Sequence, residues 1–544
     1  MNLLDEAWIP VRRSNGKLDW ISPYQMTESD LVALAANRPD FNGALIQFLI
    51  GLVQTTTPMD SQAEWERWNT NPPNIEELKK WFAPVREAFV FDGDGSRFMQ
   101  DFDLRTQETK DDEFNEIGAL LIESPGDQTL KLNKDHFVKR NRTSALCPHC
   151  AITALFTLQT NAPSGGNGHF TSIRGGGPLT TLIMPGQSSS LWQIVWLNVR
   201  EKTQFNTSHG NADLKKPQYI FPWLGDMKTI QPDGGKTTPI QVHPAHVFWG
   251  MPRRIRLDQE NVTKGACDIC GRLSDKLMTR YLTIARGFDY KGGWRHPLSP
   301  YREEKQGEMF AVHPQPDGIG YKHWLSWILG QQTDKKKILP ASIVSHVIDS
   351  HRLASHYRLW VFGYDMDNMK ARCWYESILP LYGVTDKNID GRRLIQREIA
   401  KWLESAEYVV YLLRSNVKSA WFGDDAEVRG NLSFIDVFFW SQTEPDFYHQ
   451  LIALIEQARD EENDPTLLPM REAWREVLIK VALHLFDADL VGVAPIQQQN
   501  PRRMAEAYKR LRMSLYGDKL KALLGLPVEK KEKKIKKSAK NVAA

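Results

Sequence analysis

Leu394-Ile395-Gln396-Arg397-Glu398-Ile399-Ala400-Lys401-Trp402-Leu403 opens a stretch in which apolar residues return at three- and four-residue steps, continuing through Ala406, Val409, Val410 and Leu413. That period lays one apolar stripe along a helix. It recurs from Phe447 to Ile455, then at Met470, Trp474, Val477, Val481 and Leu485, and again at Met504, Tyr508, Leu511 and Leu515. Four amphipathic helices in succession predict a four-helix bundle over residues 385–527. Residues 1–384 read differently. Trp8 to Val11 and Leu18 to Ile21 flank Asn15-Gly16, a turn pair that tolerates positive φ, so a hairpin is expected there. A helix is expected over Asn42 to Gln54, followed by dense turn signals such as Pro72-Pro73 and Asp92-Gly93-Asp94-Gly95. The expected fold class is α+β: a large irregular mixed α/β N-terminal domain (1–384) with a structural zinc site, then the bundle (385–527) and a basic disordered tail (528–544).

The 544 residues suffice for two to four domains. With 18 Trp, 15 Tyr and 23 Phe the chain has ample material for a core, which argues against disorder. The longest nearly apolar run, Gly43 to Val53, is about half of the ~20 residues that span a bilayer, so no membrane segment is expected. Acidic Asp5 and Glu6 stand where a signal peptide needs positive charge, and a cytoplasmic location is expected. Net charge is +3, yet residues 529–544 hold seven Lys and two Glu, so the remainder is close to −2. Any nucleic-acid site must therefore be local.

Two Cys-x-x-Cys knuckles, Cys147-Pro148-His149-Cys150 and Cys267-Asp268-Ile269-Cys270, have the spacing of a closed four-sulfur zinc site. Reduced thiols or a redox dithiol are the alternatives. Cys373 has no sequence partner and is expected to pack as a small hydrophobe. Glycines cluster at Gly165-Gly166-Asn167-Gly168 and at Arg174-Gly175-Gly176-Gly177, where main chain can approach a ligand closely. Turns alone would also explain them. Lys131 to Arg142 holds five cations and Phe137, the ingredients of a single-strand contact or of an exposed loop. Arg502, Arg503, Lys509, Arg510 and Arg512 form a second basic face. The chain contains no His-Glu-x-x-His, Gly-x-Ser-x-Gly or Gly-x-x-x-x-Gly-Lys, and His346, His351 and His356 are spaced off one helical face. No enzyme activity is expected.

Taken together the landmarks resemble a known family. Asn2-Leu3-Leu4 with Trp8-Ile9-Pro10-Val11, Arg97-Phe98-Met99-Gln100, Ala145-Leu146-Cys147, the run Ala162 to Thr181, His296-Pro297 with Ser299-Pro300, and Gly363-Tyr364 keep the order found in the CasA family. This is the large subunit of Cascade, the type I-E CRISPR surveillance complex of antiviral defence. The resemblance covers residues 1 to about 526. It implies a noncatalytic subunit that recognises the protospacer-adjacent motif (PAM) of duplex DNA through the minor groove and initiates strand separation and R-loop formation. It also implies partners: the guide-RNA-bound backbone and small subunits, and a recruited helicase-nuclease.

Residue by residue, the family's groove-reading glycine loop is similar to Gly165, Gly166, Asn167 and Gly168. Its strand-splitting wedge resembles Asp367, Asn368 and Met369, and its guide-RNA contact resembles Phe137 and Val138, in a loop longer and more basic here. The family's minor-groove lysine falls on Ala285, with Arg286 beside it. Either Arg286 supplies the cation or the motif preference differs. Two other readings are a zinc-dependent hydrolase using the cysteines or His149, and a general RNA-binding scaffold.

Overall fold

The computed structural model describes residues 1–104, 114–133, 142–166, 168–186, 190–232, 235–304, 307–332, 337–352, 354, 356–367, 370–384, 389–424, 432–458, 467–493 and 500–528. The chain divides into two compact units, Met1–Ile319 with His323–Asp386, and Gly320–Lys322 with Lys387–Ala544.

In the first unit the N-terminal hairpin forms as expected, β1 (Ile9–Arg13) against β2 (Leu18–Ile21), with Gly16 at φ +82° in the turn. A third strand, β3 (Leu31–Leu34), adds to the other edge of β1. Helix α1 (Pro39–Thr56) starts three residues before its predicted span and is buried on nearly all sides. Such burial requires neighbours to come close. A Cβ on Gly43 would lie 2.8 Å from Trp374, and one on Gly51 would lie 2.9 Å from Phe248. Phe48 of α1 sits within an aromatic cluster, with ring centroids 5.2 Å from Trp8, 5.7 Å from Phe156 and 5.9 Å from Phe98. Helix α2 (Pro148–Asn161) packs beside it.

Small antiparallel sheets surround these helices. Strand β4 (Thr180–Met184) is followed by β5 (Arg254–Leu257), the pair β6 (Val262–Ala266) and β7 (Leu273–Met278), and β8 (Arg280–Ile284). After α3 (Ser342–Asp349) come β9 (Arg358–Asp367) and β10 (Lys370–Pro380). These two form a long hairpin that pairs with β4 through β9, and β5 pairs with β8. Cys373 departs from its expected packing. It lies on β10 and is exposed, because that strand is the sheet's outer edge and most of its side chains face solvent.

The second unit is helical: α4 (Ile389–Phe422), α5 (Ser433–Gln457), α6 (Leu468–His484), α7 (Pro501–Leu515) and α8 (Asp518–Leu523). The predicted stripe of α4 is buried from Ile395 to Leu413. On α6 the buried face is Trp474, Leu478, Ile479 and Ala482, so Val477 and Val481 flank the core instead of filling it. Glu398, fully buried, is held by Arg471 through bonds of 2.7 and 2.8 Å and by Lys401 at 2.8 Å, tying α4 to α6. No helix among the described residues is long and apolar enough to cross a membrane.

Candidate metal centre and nucleic-acid interface

The two cysteine knuckles meet. Cys147 caps the N-terminus of α2, with Pro148 in the first helical position, which places Cys150 one turn in. Cys267 and Cys270 lie in the turn between β6 and β7, closed by Gly271 at φ +71° and its N–H on Cys267 O. Asp268 joins the knuckles by accepting the Ser144 and Ala145 N–H groups at 2.6 and 2.8 Å. The four sulfurs all lie within 4.8 Å of one another, and Cys147 Sγ is 3.7 Å from Cys270 Sγ. A tetrahedral ion with bonds of about 2.3 Å needs sulfurs about 3.8 Å apart. The donor set therefore fits one zinc ion, with no place left for a water ligand. Hydrogen bonding shared among the four thiols lowers Cys270 to about 7 and pulls Cys267 down as well, while it and burial push Cys147 and Cys150 up. His149 is not part of the four-sulfur cluster; its ring packs tilted against Trp20 at 5.3 Å, its Nδ1 accepts from the Arg272 guanidinium at 3.2 Å, and burial lowers it to about 4.

The glycine turn and Arg286 also come together. The turn closes on itself through Gly165 N–H to His169 O (3.0 Å) and His169 N–H to Gly166 O (2.8 Å), with Gly166 at φ +70° and Gly168 at +83°. Arg286 donates its N–H to Gly168 O at 2.8 Å, and a Cβ on Gly168 would stand 3.2 Å from Arg286 Cγ. Gly165, Gly166 and Arg286 are exposed. Arg286 has no ion-pair partner among the described residues and holds φ at +65°, a region that side chains disfavour. Next to it, Gly287 packs so tightly that a Cβ would fall 2.1 Å from Pro252 O.

Arg253, which the sequence did not single out, lies beneath this turn. Its backbone is held at both ends by the Gln159 side chain, at 3.0 and 2.9 Å, and its guanidinium donates to Pro163 O. A Cβ on Gly165 would be 3.0 Å from Arg253 Nη1. Burial lowers this arginine to about 10. Pro252-Arg253-Arg254 reads as an ordinary dibasic segment, so no sequence signal marks it.

The end of β9, where the family resemblance places a wedge, connects to the turn through the second glycine run. A Cβ on Gly176 would lie 2.9 Å from Pro163 Cα, and one on Gly177 would lie 2.7 Å from Tyr364 Cβ and 2.9 Å from Met366 Cε. Asp367 ends β9 one residue beyond Met366, 3.7 Å from Arg372, which also grips Asp365 at 2.7 and 2.9 Å. Asn167, Asn368, Met369, Phe137 and Val138 lie outside the described residues. The basic face of α7 is largely engaged within its own unit: Arg510 with Asp424 at 2.9 Å, Arg502 with Glu506 at 3.0 Å, and Arg503 with Trp421 O at 3.2 Å.

These features define a class: a two-unit protein with a four-cysteine knuckle, an exposed glycine turn beside an exposed cation, and the architecture of CRISPR-associated proteins. A chain of Thermus thermophilus described as a CRISPR associated protein superposes at a TM-score of 0.67 with 15% identity, covering 96% of this chain and 99% of its own. Cse1 of Thermobifida fusca gives 0.66 at 14% identity, with 96% and 98% covered. A chain from a structure described as a CRISPR RNA-guided surveillance complex gives 0.66 at 14%, with 95% and 99% covered. The sequence profile of the CRISPR-associated protein Cse1 family matches residues 2–485. The chain belongs to that family, the CasA-type large subunits of type I-E Cascade.

Proposed function

We propose that this subunit recognises a short motif in duplex DNA from the minor-groove side and begins strand separation for guide-RNA pairing, without catalysing a reaction itself. The observation that carries the reading is the bond between Arg286 and Gly168, which sets an exposed guanidinium beside an exposed, side-chain-free turn. Main chain can enter a groove about 6 Å wide, and arginine suits that groove when it narrows. In this reading Gly165, Gly166, Asn167 and Gly168 approach the base edges and Arg286 supplies the charge. The tip Asp367, Asn368 and Met369 presses on the adjoining base step. Opening one step costs about 1.4 kcal/mol on average and guide pairing returns a similar amount, so only nucleation needs protein help.

Phe137 and Val138 dock on the guide RNA. Residues 1–384 form the recognition domain, and residues 385–527 form a four-helix bundle that meets the small subunits and displaced strand. The assembled complex then recruits the helicase-nuclease. The four-sulfur set supports zinc as a structural ion and gives a hydrolase no open coordination position. The test is the Asn368→Ala/Met369→Ala double variant in the assembled complex. R-loop formation on target DNA should fall severalfold while complex assembly is unchanged; unaltered R-loop formation would refute the wedge.

A further inference from the structure

Arg253 is 7% exposed, yet its guanidinium is directed at a main-chain carbonyl. It donates to Pro163 O, and among the described residues no carboxylate pairs with it. A buried guanidinium on a neutral acceptor is a less favourable filling than an apolar side chain of similar volume. Packing alone therefore does not account for it. The root of the side chain is fixed as well, because Gln159, buried in α2, accepts the Arg253 N–H at 3.0 Å and donates to the Arg253 carbonyl at 2.9 Å.

The bond to Pro163 falls where the glycine loop leaves its stem. The stem is held by main chain: Gly177 N–H donates to Asn161 O and Ser172 N–H to Ala162 O, each at 3.0 Å. Beyond it, among the described residues, two hydrogen bonds tie the segment from Pro163 to Thr171 to the rest of the chain. One is Arg253 to Pro163 O, and the other is Arg286 N–H to Gly168 O at 2.8 Å. The two anchors share a base. Arg254, next to Arg253, pairs with Ile284 across β5 and β8, and Gly287, next to Arg286, packs against Pro252 O. Gly165 completes the fit. It is not at positive φ, so its missing Cβ makes room instead of permitting a turn. An added Cβ would stand 2.7 Å from His169 Cβ and 3.0 and 3.3 Å from the two Arg253 Nη atoms. We propose that Arg253 is a positioning residue for the motif-reading turn: its guanidinium fixes Pro163 and the underside of Gly165, so that the turn and Arg286 meet the groove together.

This inference rests on the DNA reading above, and the test separates the two. Assembled complexes carrying Arg253→Met, Arg253→Lys or Arg286→Ala are compared with the native complex on a pool of guide-matched duplexes bearing every trinucleotide beside the target. A second substrate is a guide-matched target whose strands are already held apart, which needs no motif reading. Arg253→Met should reduce the ratio of best-bound to median duplex about tenfold, and Arg253→Lys, which keeps the charge and one donor point, about threefold. Affinity for the opened target should not fall with it. If Arg286→Ala flattens the preference and Arg253→Met does not, the positioning role is overturned and the DNA reading stands. If neither variant alters the preference, the DNA reading falls and this inference with it. An equal loss on the opened target assigns Arg253 to assembly and also overturns the proposal. Should Arg253→Met fail to fold, Arg253→Lys decides on the same terms.

Discussion

Arg286 holds two properties in tension. Its backbone sits at φ +65°, which costs a residue with a Cβ on the order of 1 kcal/mol, while its exposed side chain has no internal ion pair among the described residues. Such a position is better suited to glycine unless the charge is used. Arg286→Gly is therefore expected to fold at least as stably by urea denaturation while its complex binds motif-bearing duplex on the order of tenfold more weakly. A second residue-scale prediction concerns Glu201. Burial pushes its carboxyl up, but hydrogen bonds from His346 and Arg352 outweigh that and bring it from 4.5 to about 2. A depressed carboxylate contributes stability that is complete above the unfolded value and is lost as pH falls through the folded one. Urea midpoints of the native chain should thus fall more steeply between pH 4.5 and 2 than those of Glu201→Gln. The same cluster explains His346, whose ring meets Glu201 at 2.9 Å and Arg352 at 3.0 Å. Its spacing to His351 and His356 announced no joint site, and it serves packing.

At the scale of elements, the knuckle pair joins the start of α2 to the turn between β6 and β7, segments more than a hundred residues apart in sequence. Protein purified without added metal is expected to carry one zinc per chain, and strong chelation should lower its melting temperature, since ligand binding to the folded state adds to its stability. Zinc content near zero would remove the site. The Cys-x-x-Cys spacing made the four ligands legible from sequence. The hydrogen bonds of Asp268 that align the knuckles were not, since they depend on which strands meet. Helix α6 shows a different limit. Val477, Leu478, Val481 and Ala482 offer two overlapping apolar stripes, and only packing around Trp474, whose Nε1 donates to Trp402 O at 3.1 Å, selects the second. Cys373 was misread for a related reason: composition cannot tell an outer strand from a central one.

For the whole molecule, the landmarks that carried the family resemblance are mostly packing residues around the glycine segments. Phe98, Met99 and Gln100 are fully buried, Ser299 binds Arg174, and a Cβ on Gly363 would lie 2.8 Å from Pro178 O. The sequence thus made the scaffold and the glycine turn readable, whereas Arg253, buried beneath that turn, emerged only once distant segments were brought together. The central claim is that the turn and Arg286 read DNA from the minor groove. The most direct measurement compares binding of the assembled complex to targets whose motif carries inosine in place of guanine or 2,6-diaminopurine in place of adenine. These exchanges move the minor-groove amino group and leave the major-groove edge of each pair nearly unchanged. The account predicts that preference follows the amino group and that Arg286→Ala weakens the dependence. Preference indifferent to these exchanges, but altered by changes confined to the major-groove edge, would contradict it.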